Sequence, residues 1–453
     1  MKPSILLAVL APVSVLALAA SLHVARTAEA RIAARGYWDE GIVEFVRTRV
    51  AASYVDELSE AQLRDAFYAA LDGYLRSLPD EYNHFIAPVE YKAWSEDTAG
   101  RYAGVGVKVQ SNALGIGVAG VFPGGPASSG GIRIGDVITH VDGRSMAGFD
   151  TTAPNPNVQL LKGREGSQVT ATVSTPPGKD APAGAAPAVR NVVLTRQLIQ
   201  PPTVFPRRIG AGGAVGYLRV SEFVETTIAE FDRALDPMVA DGVKTVIVDL
   251  RGNGGGVLPA TVHMADRFIA KGEIVRLQGR DTTSRRVHAA QEPGTVPDTV
   301  GLVVLVDGKS ASASEVFAGC IQDYRRGVLL GTRTYGKFLV QNITEIPGSG
   351  AGVKITTARY QTPNGRSYQR AARDGQAGPS GLIPDVVVEL AQADADKLQH
   401  AWRNEDDAMW GAPPRHPDVP EGWIDPQLQR ALDLIAGNLL LQEIRGGSPP
   451  KNG

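Results

Sequence analysis

Five consecutive aliphatic residues, Leu302-Val303-Val304-Leu305-Val306, run into a loop of small residues and then into a helix-like segment from Glu315 to Tyr324. A strand with one wet face alternates apolar and polar residues. This run is apolar throughout, so it reads as a strand buried on both faces, as in the sheet of an α/β fold. The loop between strand and helix carries three hydroxyls, Ser310, Ser312 and Ser314. A hydroxyl at such a corner can stand out as a nucleophile, with the backbone N–H groups that open the helix pointing at an oxyanion formed beside it. A second apolar strand, Val328-Leu329-Leu330, is followed by a glycine-bearing turn with Lys337, and Gln341 lies just beyond. Serine with lysine is an alternative to Ser-His-Asp when burial keeps the amine neutral enough to take the hydroxyl proton. From these residues alone the three serines remain in competition.

The two segments resemble the signature of the carboxy-terminal processing peptidases, also called tail-specific proteases. Their S-A-S-A-S-E box reads here Ser310-Ala311-Ser312-Ala313-Ser314-Glu315, and their G-K-x-x-V-Q box reads Gly336-Lys337-Phe338-Leu339-Val340-Gln341. The resemblance implies that Ser312, the middle serine, is the nucleophile, that Lys337 is its base and that Gln341 orients the lysine. The separation, 337 − 312 = 25 residues, fits that family. Phe338 stands where a glycine is usual, which narrows the site without removing a reacting atom.

A chain of 453 residues, 43% of them hydrophobic, is long enough for two or three domains with proper cores. A formal net charge of −2 argues against nucleic-acid binding through a basic surface. The single cysteine, Cys320, has no partner for an internal disulfide and reads as a small core residue. After Lys2, the 23 residues from Pro3 to Ala25 carry no formal charge and are rich in Leu, Ala and Val. That is an export signal: Ala17-Leu18-Ala19 favours cleavage, while the length of the run also suits an uncleaved membrane anchor. The expected location is extracytoplasmic, periplasmic in a cell with two membranes.

From Trp38 to about Trp94 the apolar spacing is helical, with a break at Pro79. From Gly100 to about Arg196 short strands and glycine turns take over, with strands expected over Tyr102 to Val109 and Ile116 to Val121. Gly131-Ile132-Arg133-Ile134-Gly135-Asp136-Val137-Ile138 resembles the G-I-x-x-G-D-x-I box of a PDZ domain. The resemblance puts the loop that holds a peptide's terminal carboxylate at Gly104-Val105-Gly106-Val107, with the peptide added as an extra strand. A Pro-, Gly- and Ala-rich insert from Pro176 to Pro187 reads as a surface loop in the last hairpin of that domain.

Strand Val215 to Val220, a helix from about Thr226 to Ala240 and strand Thr245 to Leu250 mark the opening of an α/β core. The last of these ends in Arg251-Gly252-Asn253-Gly254-Gly255-Gly256, a glycine loop at the carboxyl end of a strand, where such folds place ligands. It matches the family's D-L-R-x-N-x-G-G box, which implies Gly255 as one oxyanion donor, with Gly254 the alternative, and Ala313 N–H as the other. Two other site readings are weaker on their residues. Gly331 to Lys337 has most of a phosphate-binding loop, but Phe338 stands where a Ser or Thr must reach magnesium and a strand-like segment follows. His263 is the rival base, although a lone histidine beside Met264 on a helix is more often structural. No HExxH or Cys/His cluster is present, so neither metal nor other cofactor is expected. Gly381-Leu382-Ile383-Pro384-Asp385 resembles the family's closing box, and the helical tail presents Leu428, Leu432 and Ile435 on one side.

The expected architecture is multidomain, α/β and β: a signal peptide or anchor (1–36), an N-terminal helical segment (37–98), a PDZ domain (99–198), an α/β serine-peptidase core (199–390) and a helical C-terminal tail (391–453). The expected partners are polypeptides with a free C-terminus, with a homodimer or higher oligomer and membrane association through the N-terminus both left open. The competing reading is a PDZ peptide-binding protein that keeps the fold without cleaving.

Overall fold

Leu302, Val304 and Val306 of the aliphatic run face one hydrophobic core while Val303 and Leu305 face another, which is why the run does not alternate. The computed structural model describes residues 40–149, 158–178, 182, 184–291, 294–370, 380–414, 416, 419–420 and 422–446. The expected export signal and most of the tip of the Pro176 to Pro187 insert lie outside them. Two compact units divide the chain between Tyr74 and Leu75. The first holds α1 (Glu40–Ser53) and all but the last two residues of α2 (Glu60–Arg76), and Ile42, Val43, Phe45 and Val46 of α1 are exposed.

The second unit opens with β1 (His84–Ile86) and α3 (Pro88–Ala99). The helical expectation for 37–98 therefore fails at β1, which pairs antiparallel with a strand of the peptidase core 270 residues later in the chain, His84 opposite Lys354 (354 − 84 = 270). Only that long-range pairing makes three residues a strand, and no local periodicity signals it.

The PDZ domain follows as β2 (Tyr102–Gly104), β3 (Val107–Asn112), β4 (Gly115–Val121), α4 (Pro126–Ser129), β5 (Val137–Val141), β6 (Arg144–Ser145), β7 (Gln168–Thr175), β8 (Ala188–Thr195) and β9 (Gln197–Ile199). The single strand expected from Tyr102 to Val109 is broken at Gly106, whose φ of +75° a side chain disfavours. On one side of the break β2 pairs with β9, and on the other β3 pairs with β4. The main sheet runs β3-β4-β5-β7-β8, so β3 is an edge strand. Ile116, Val118, Ile138, Val141, Phe149, Val169, Ala171 and Val173 fill its core.

The peptidase core contains β10 (Val204–Ile209), β11 (Val215–Val220), α5 (Glu225–Ala240), β12 (Thr245–Asp249), α6 (Leu258–Asp266), β13 (Glu273–Gln278), β14 (Arg285–Ala289), β15 (Gly301–Val306), α7 (Ala313–Asp323), β16 (Val328–Gly331), β17 (Leu339–Glu345), β18 (Gly352–Gln361) and β19 (Val386–Val387). One sheet has the order β10-β11-β12-β15-β16-β19 and is parallel from β11 onward. A second, antiparallel sheet joins β1, β18, β13 and β14, with β17 also on β18. Phe231, Phe268 and Phe317 stack edge to face in the core.

The tail forms α8 (Gln392–Met409) and α9 (Pro426–Gly446). As expected, Leu428, Leu432 and Ile435 share one side: with Ala431 they cover Tyr217, Ile247, Val303, Leu305 and Leu330 on the second face of the parallel sheet. Full burial of a side chain such as Ile435 stabilises by roughly 1.5–3 kcal/mol, and the partly buried Leu428 and Leu432 contribute less. Just before α9, Asp425 accepts from Arg251 Nη1 at 2.8 Å, and Arg251 also pairs with Asp249, with both side chains of that pair fully buried. The tail is thus built into the base of the glycine loop.

Candidate active site

Strand β15 delivers the chain to Asp307, whose Oδ1 accepts from the N–H groups of Gly252, Lys309 and Ser310 and so closes the loop ahead of α7. Ser312 is the residue before the helix, with φ 56° and ψ −112°. A non-glycine residue in that region is strained, and such strain persists where the surroundings over-determine it. The surroundings here also separate the three serines. Ser310 Oγ donates to the Leu250 carbonyl at 2.8 Å, and Ser314 Oγ donates to the Asn253 carbonyl at 2.9 Å. Both staple the serine loop to the glycine loop, whereas the Ser312 hydroxyl is tied to no backbone group among the described residues.

Gly255 lies against Ser312. With φ +103°, a Cβ there would fall 2.8 Å from Ser312 Cβ and 3.0 Å from Ala313 N, so only glycine permits this approach. Ala313 is the first residue of α7, and its N–H has no acceptor within the helix. The two expected oxyanion donors are therefore neighbours beside Ser312. In this state, however, the Gly255 N–H donates to Asn253 Oδ1 at 2.8 Å, while Asn253 Nδ2 donates to the Val220 carbonyl.

Lys337 lies between β16 and β17. Burial is the main influence that lowers its amine from 10.5 to about 8, and the nearby charge of Lys354 acts in the same direction, while Glu315, Asp80 and Glu81 pull it back up. Its Nζ sits 4.6 Å from the centre of the Tyr82 ring. No hydrogen bond joins it to Ser312 or to Gln341 among the described residues. Gln341 Nε2 donates instead to Thr356 Oγ1 at 3.1 Å, and Thr356 Oγ1 donates to Asp80 Oδ1 at 3.0 Å.

Glu315 holds Ser312 and Lys337 in one frame. Its carboxylate is completely buried. Oε2 accepts from Ser312 N–H at 2.9 Å and Lys337 N–H at 2.7 Å, and Oε1 accepts from Gly336 N–H at 2.7 Å and Thr334 Oγ1 at 2.6 Å. Burial raises this carboxyl above its ordinary value and the four donors oppose that rise. All four neighbours donate, so the ionised form fits them. The signal for Glu315 was present in the sequence as Ser-x-x-Glu at a helix start.

Other site residues had no such signal. Tyr82, Asp80 and Asn83 reach the lysine and β18 from the N-terminal segment, with Asn83 Oδ1 accepting from Thr356 N–H at 2.8 Å. Tyr360 on β18 is buried, which pushes its phenol up to about 12, with the Ser312 side chain opposing that rise. Phe338 is buried against Tyr368, edge to face at 5.6 Å. The rival base is engaged elsewhere: His263 Nε2 meets Asp232 Oδ2 on α5 at 2.8 Å. After Lys337 comes β17, a strand, where a phosphate-binding loop needs a helix.

In the PDZ domain, Gly104, Val105 and Gly106 are buried and Val107 is half-buried. Val105 points into the domain core, the Val105 carbonyl accepts from Ala127 N–H, and the Gly106 carbonyl accepts from Phe122 N–H, both at 2.9 Å. Beyond Val107, β3 pairs with β4 on one side, and among the described residues no strand covers its other edge. No group of three or more His, Cys, Asp or Glu side chains placed to hold a metal occurs among the described residues, and no helix there is long and apolar enough to cross a membrane.

The chain matches the family model for peptidase family S41 over residues 214–388 and that for a PDZ domain over residues 117–174. It is 33% identical to the chloroplastic C-terminal processing peptidase of Tetradesmus obliquus, over 71% of this chain and 68% of that protein. It is 32% identical to the carboxy-terminal-processing protease of Bartonella bacilliformis, over 75% of this chain and 73% of that protein. A solved photosystem II D1 C-terminal processing protease is 32% identical, covering 76% of this chain and 86% of its own, with a TM-score of 0.42. The chain belongs to peptidase family S41, the C-terminal processing peptidases, and is a serine peptidase carrying a PDZ domain.

Proposed function

We propose that the protein is an exported endopeptidase that cuts polypeptides near the carboxyl terminus, with Ser312 as nucleophile and Lys337 as base. The observation that carries this reading is the shared Glu315 carboxylate, which fixes the backbones of both residues beside a half-buried amine that loses its proton near pH 8. A lysine side chain has four rotatable bonds, and rotation moves Nζ from Tyr82 to the Ser312 hydroxyl. There the neutral amine takes the hydroxyl proton as Oγ bonds to the scissile carbonyl carbon, whose oxygen becomes the oxyanion. Ala313 N–H donates to that oxygen from the start of α7, and Gly255 N–H adds a second bond once it leaves Asn253. Each such donor contributes on the order of 3 kcal/mol to the transition state. The ammonium of Lys337 then protonates the leaving nitrogen as the C–N bond breaks. A water molecule gives a proton to the same amine as its oxygen bonds to the acyl carbon, and the ammonium returns that proton to Ser312 Oγ as the ester C–O bond breaks. Gln341 in this reading leaves Thr356 to orient the amine.

The open edge of β3 supports a second assignment, a peptide added as a strand with its terminal carboxylate at Gly104 to Val107. The test of the cleavage assignment is mass spectrometry of products from a peptide with a free C-terminus. Ser312→Ala should yield none, while Ser310→Ala and Ser314→Ala retain a measurable rate. Cleavage by Ser312→Ala would remove the assignment.

A further inference from the structure

Helix α8 meets the PDZ domain at one end and the glycine loop of the peptidase at the other. At the PDZ end, Asp407 Oδ1 accepts from Lys108 Nζ of β3 at 2.8 Å, with the carboxylate side chain only 6% exposed. The Trp410 carbonyl, just past the helix, accepts from Val121 N–H of β4, also at 2.8 Å. The Trp410 ring meets Phe122 edge to face at 5.5 Å, and a Cβ on Gly120 would fall 2.7 Å from Trp410 Cβ, so strand and helix end are in close packing. Eight residues earlier, about 12 Å along the helix, Trp402 lies under the glycine loop. A Cβ on Gly252 would sit 3.1 Å from indole Cζ3, and the Arg251 guanidinium lies 5.6 Å from the ring centre. Between these points Glu405 and Asp406 both bind Arg219 of β11, at 2.6 and 2.8 Å.

The loop above Trp402 is short of side chains that could hold it. Gly252, Gly255 and Gly256 all have positive φ, at +72°, +103° and +146°. Glycines fix no conformation by themselves. Asn253 anchors the loop from inside and Asp307 from one flank, and the flat indole closes the outer side at Gly252. Three residues further on, Gly255 touches Ser312. A displacement of Trp402 is therefore passed through a few bonds of backbone to the group beside the nucleophile.

We infer that Trp402 is a positioning residue for the glycine loop, and that α8 transmits to it the position of PDZ strands β3 and β4. The inference rests on the reading above, in which that loop faces the oxyanion and β3 receives the peptide. It concerns the rate of the bond-making step rather than peptide affinity, because Trp402 touches the loop and not the β3 edge.

The experiment uses the full chain, a fluorogenic peptide with a free carboxylate, and a peptide aldehyde whose hemiacetal oxygen occupies the oxyanion position. Trp402→Ala should lower kcat by ~10- to ~100-fold, the range for misplacement of a reacting group by a distant change. KM should move little, and aldehyde inhibition should weaken by the same factor as kcat. Trp402→Phe, which keeps a flat ring, should recover most of both, whereas a smaller folded fraction alone would lower apparent kcat without weakening aldehyde inhibition. Lys108→Met, which cuts the PDZ anchor, should lower kcat in the same direction, and the double variant should be no slower than Trp402→Ala, since both act on one element. Unchanged kcat and aldehyde inhibition in Trp402→Ala overturn the inference, as does strict additivity in the double variant. Should Trp402→Ala fail to fold, Trp402→Leu replaces it under the same criteria. Ser312→Ala separates the two levels of argument: cleavage by that variant removes the peptidase mechanism itself, while Ser312-dependent cleavage with a silent Trp402→Ala removes only the role of α8.

Discussion

Glu315→Gln keeps the shape of a buried side chain and removes its charge, which makes its consequences calculable. In the native protein each carboxylate oxygen accepts two hydrogen bonds, Oε2 from Ser312 and Lys337 and Oε1 from Gly336 and Thr334. An amide offers one acceptor oxygen and one NH2. If the NH2 takes the Oε2 place, two backbone N–H groups lose their acceptor. If it takes the Oε1 place, Gly336 N–H is orphaned and the Thr334 hydroxyl, which already accepts from Leu382 N–H at 2.7 Å, loses the acceptor of its own proton, so either arrangement leaves two donors unpaired. Each buried orphan costs ~1–3 kcal/mol, to which the loss of charge-assisted bonds adds. The second effect is on the base. The Glu315 charge raises the Lys337 amine, so neutralising it lowers the amine below its native value of about 8. The lysine is then neutral over a wider range, and the rising limb of kcat/KM against pH moves to lower pH even as the plateau falls from imperfect alignment. Chemical denaturation gives the stability and a pH series of kcat/KM gives the limb. A limb that stays in place, or moves to higher pH, refutes the electrostatic link between Glu315 and Lys337.

The unmodified protein should show kcat/KM rising through about pH 8 as Lys337 loses its proton. Lys337→Arg should be inactive despite keeping its charge, because guanidinium stays protonated over the working range, and near-native turnover would assign proton transfer to another group. Amidated peptides should bind the PDZ domain of the full chain more weakly than free acids in calorimetric titrations, since amidation removes the charge that the Gly104 to Val107 backbone is proposed to hold; equal affinities would rule this out. Asp425→Ala should destabilise the protein by ~3 kcal/mol, the low end for a broken buried ion pair because Asp249 still faces Arg251. Calorimetric unfolding unchanged by that substitution would mean that the tail is not a working part of the core.

The parts of the site that lie on single stretches of chain were legible in the sequence. The aliphatic run before Ser312 and the glycines before Gly255 each encode a strand end and a tight loop locally, because their cause is burial on both faces or a positive φ. The boxes around Ser312 and Lys337 carried the resemblance that chose among three serines; the stapling of two loops by Ser310 and Ser314, by contrast, is visible only in the structure. What the sequence could not reveal is everything made by pairing distant segments. His84–Ile86 is a strand only because β18 offers it an edge, and it brings Asp80, Tyr82 and Asn83 to Lys337 and Thr356. The tail reads as amphipathic helix, which requires a partner surface without naming one, and the partner is the far face of the parallel sheet. Nor does a motif specify side-chain rotamers, so the family pattern could place Lys337 and Gln341 near Ser312 without showing that the amine rests on Tyr82 and the amide on Thr356. In the mechanism proposed above, those two contacts must be released by side-chain rotation before Lys337 and Gln341 can act on Ser312. The backbones are already fixed by Glu315, and such rotations are fast in comparison with backbone rearrangement. The demand on substrate binding in this reading is an exchange of three contacts, the cation–π contact of Lys337, the Gln341–Thr356 bond and the Gly255–Asn253 bond, for contacts with the reacting groups.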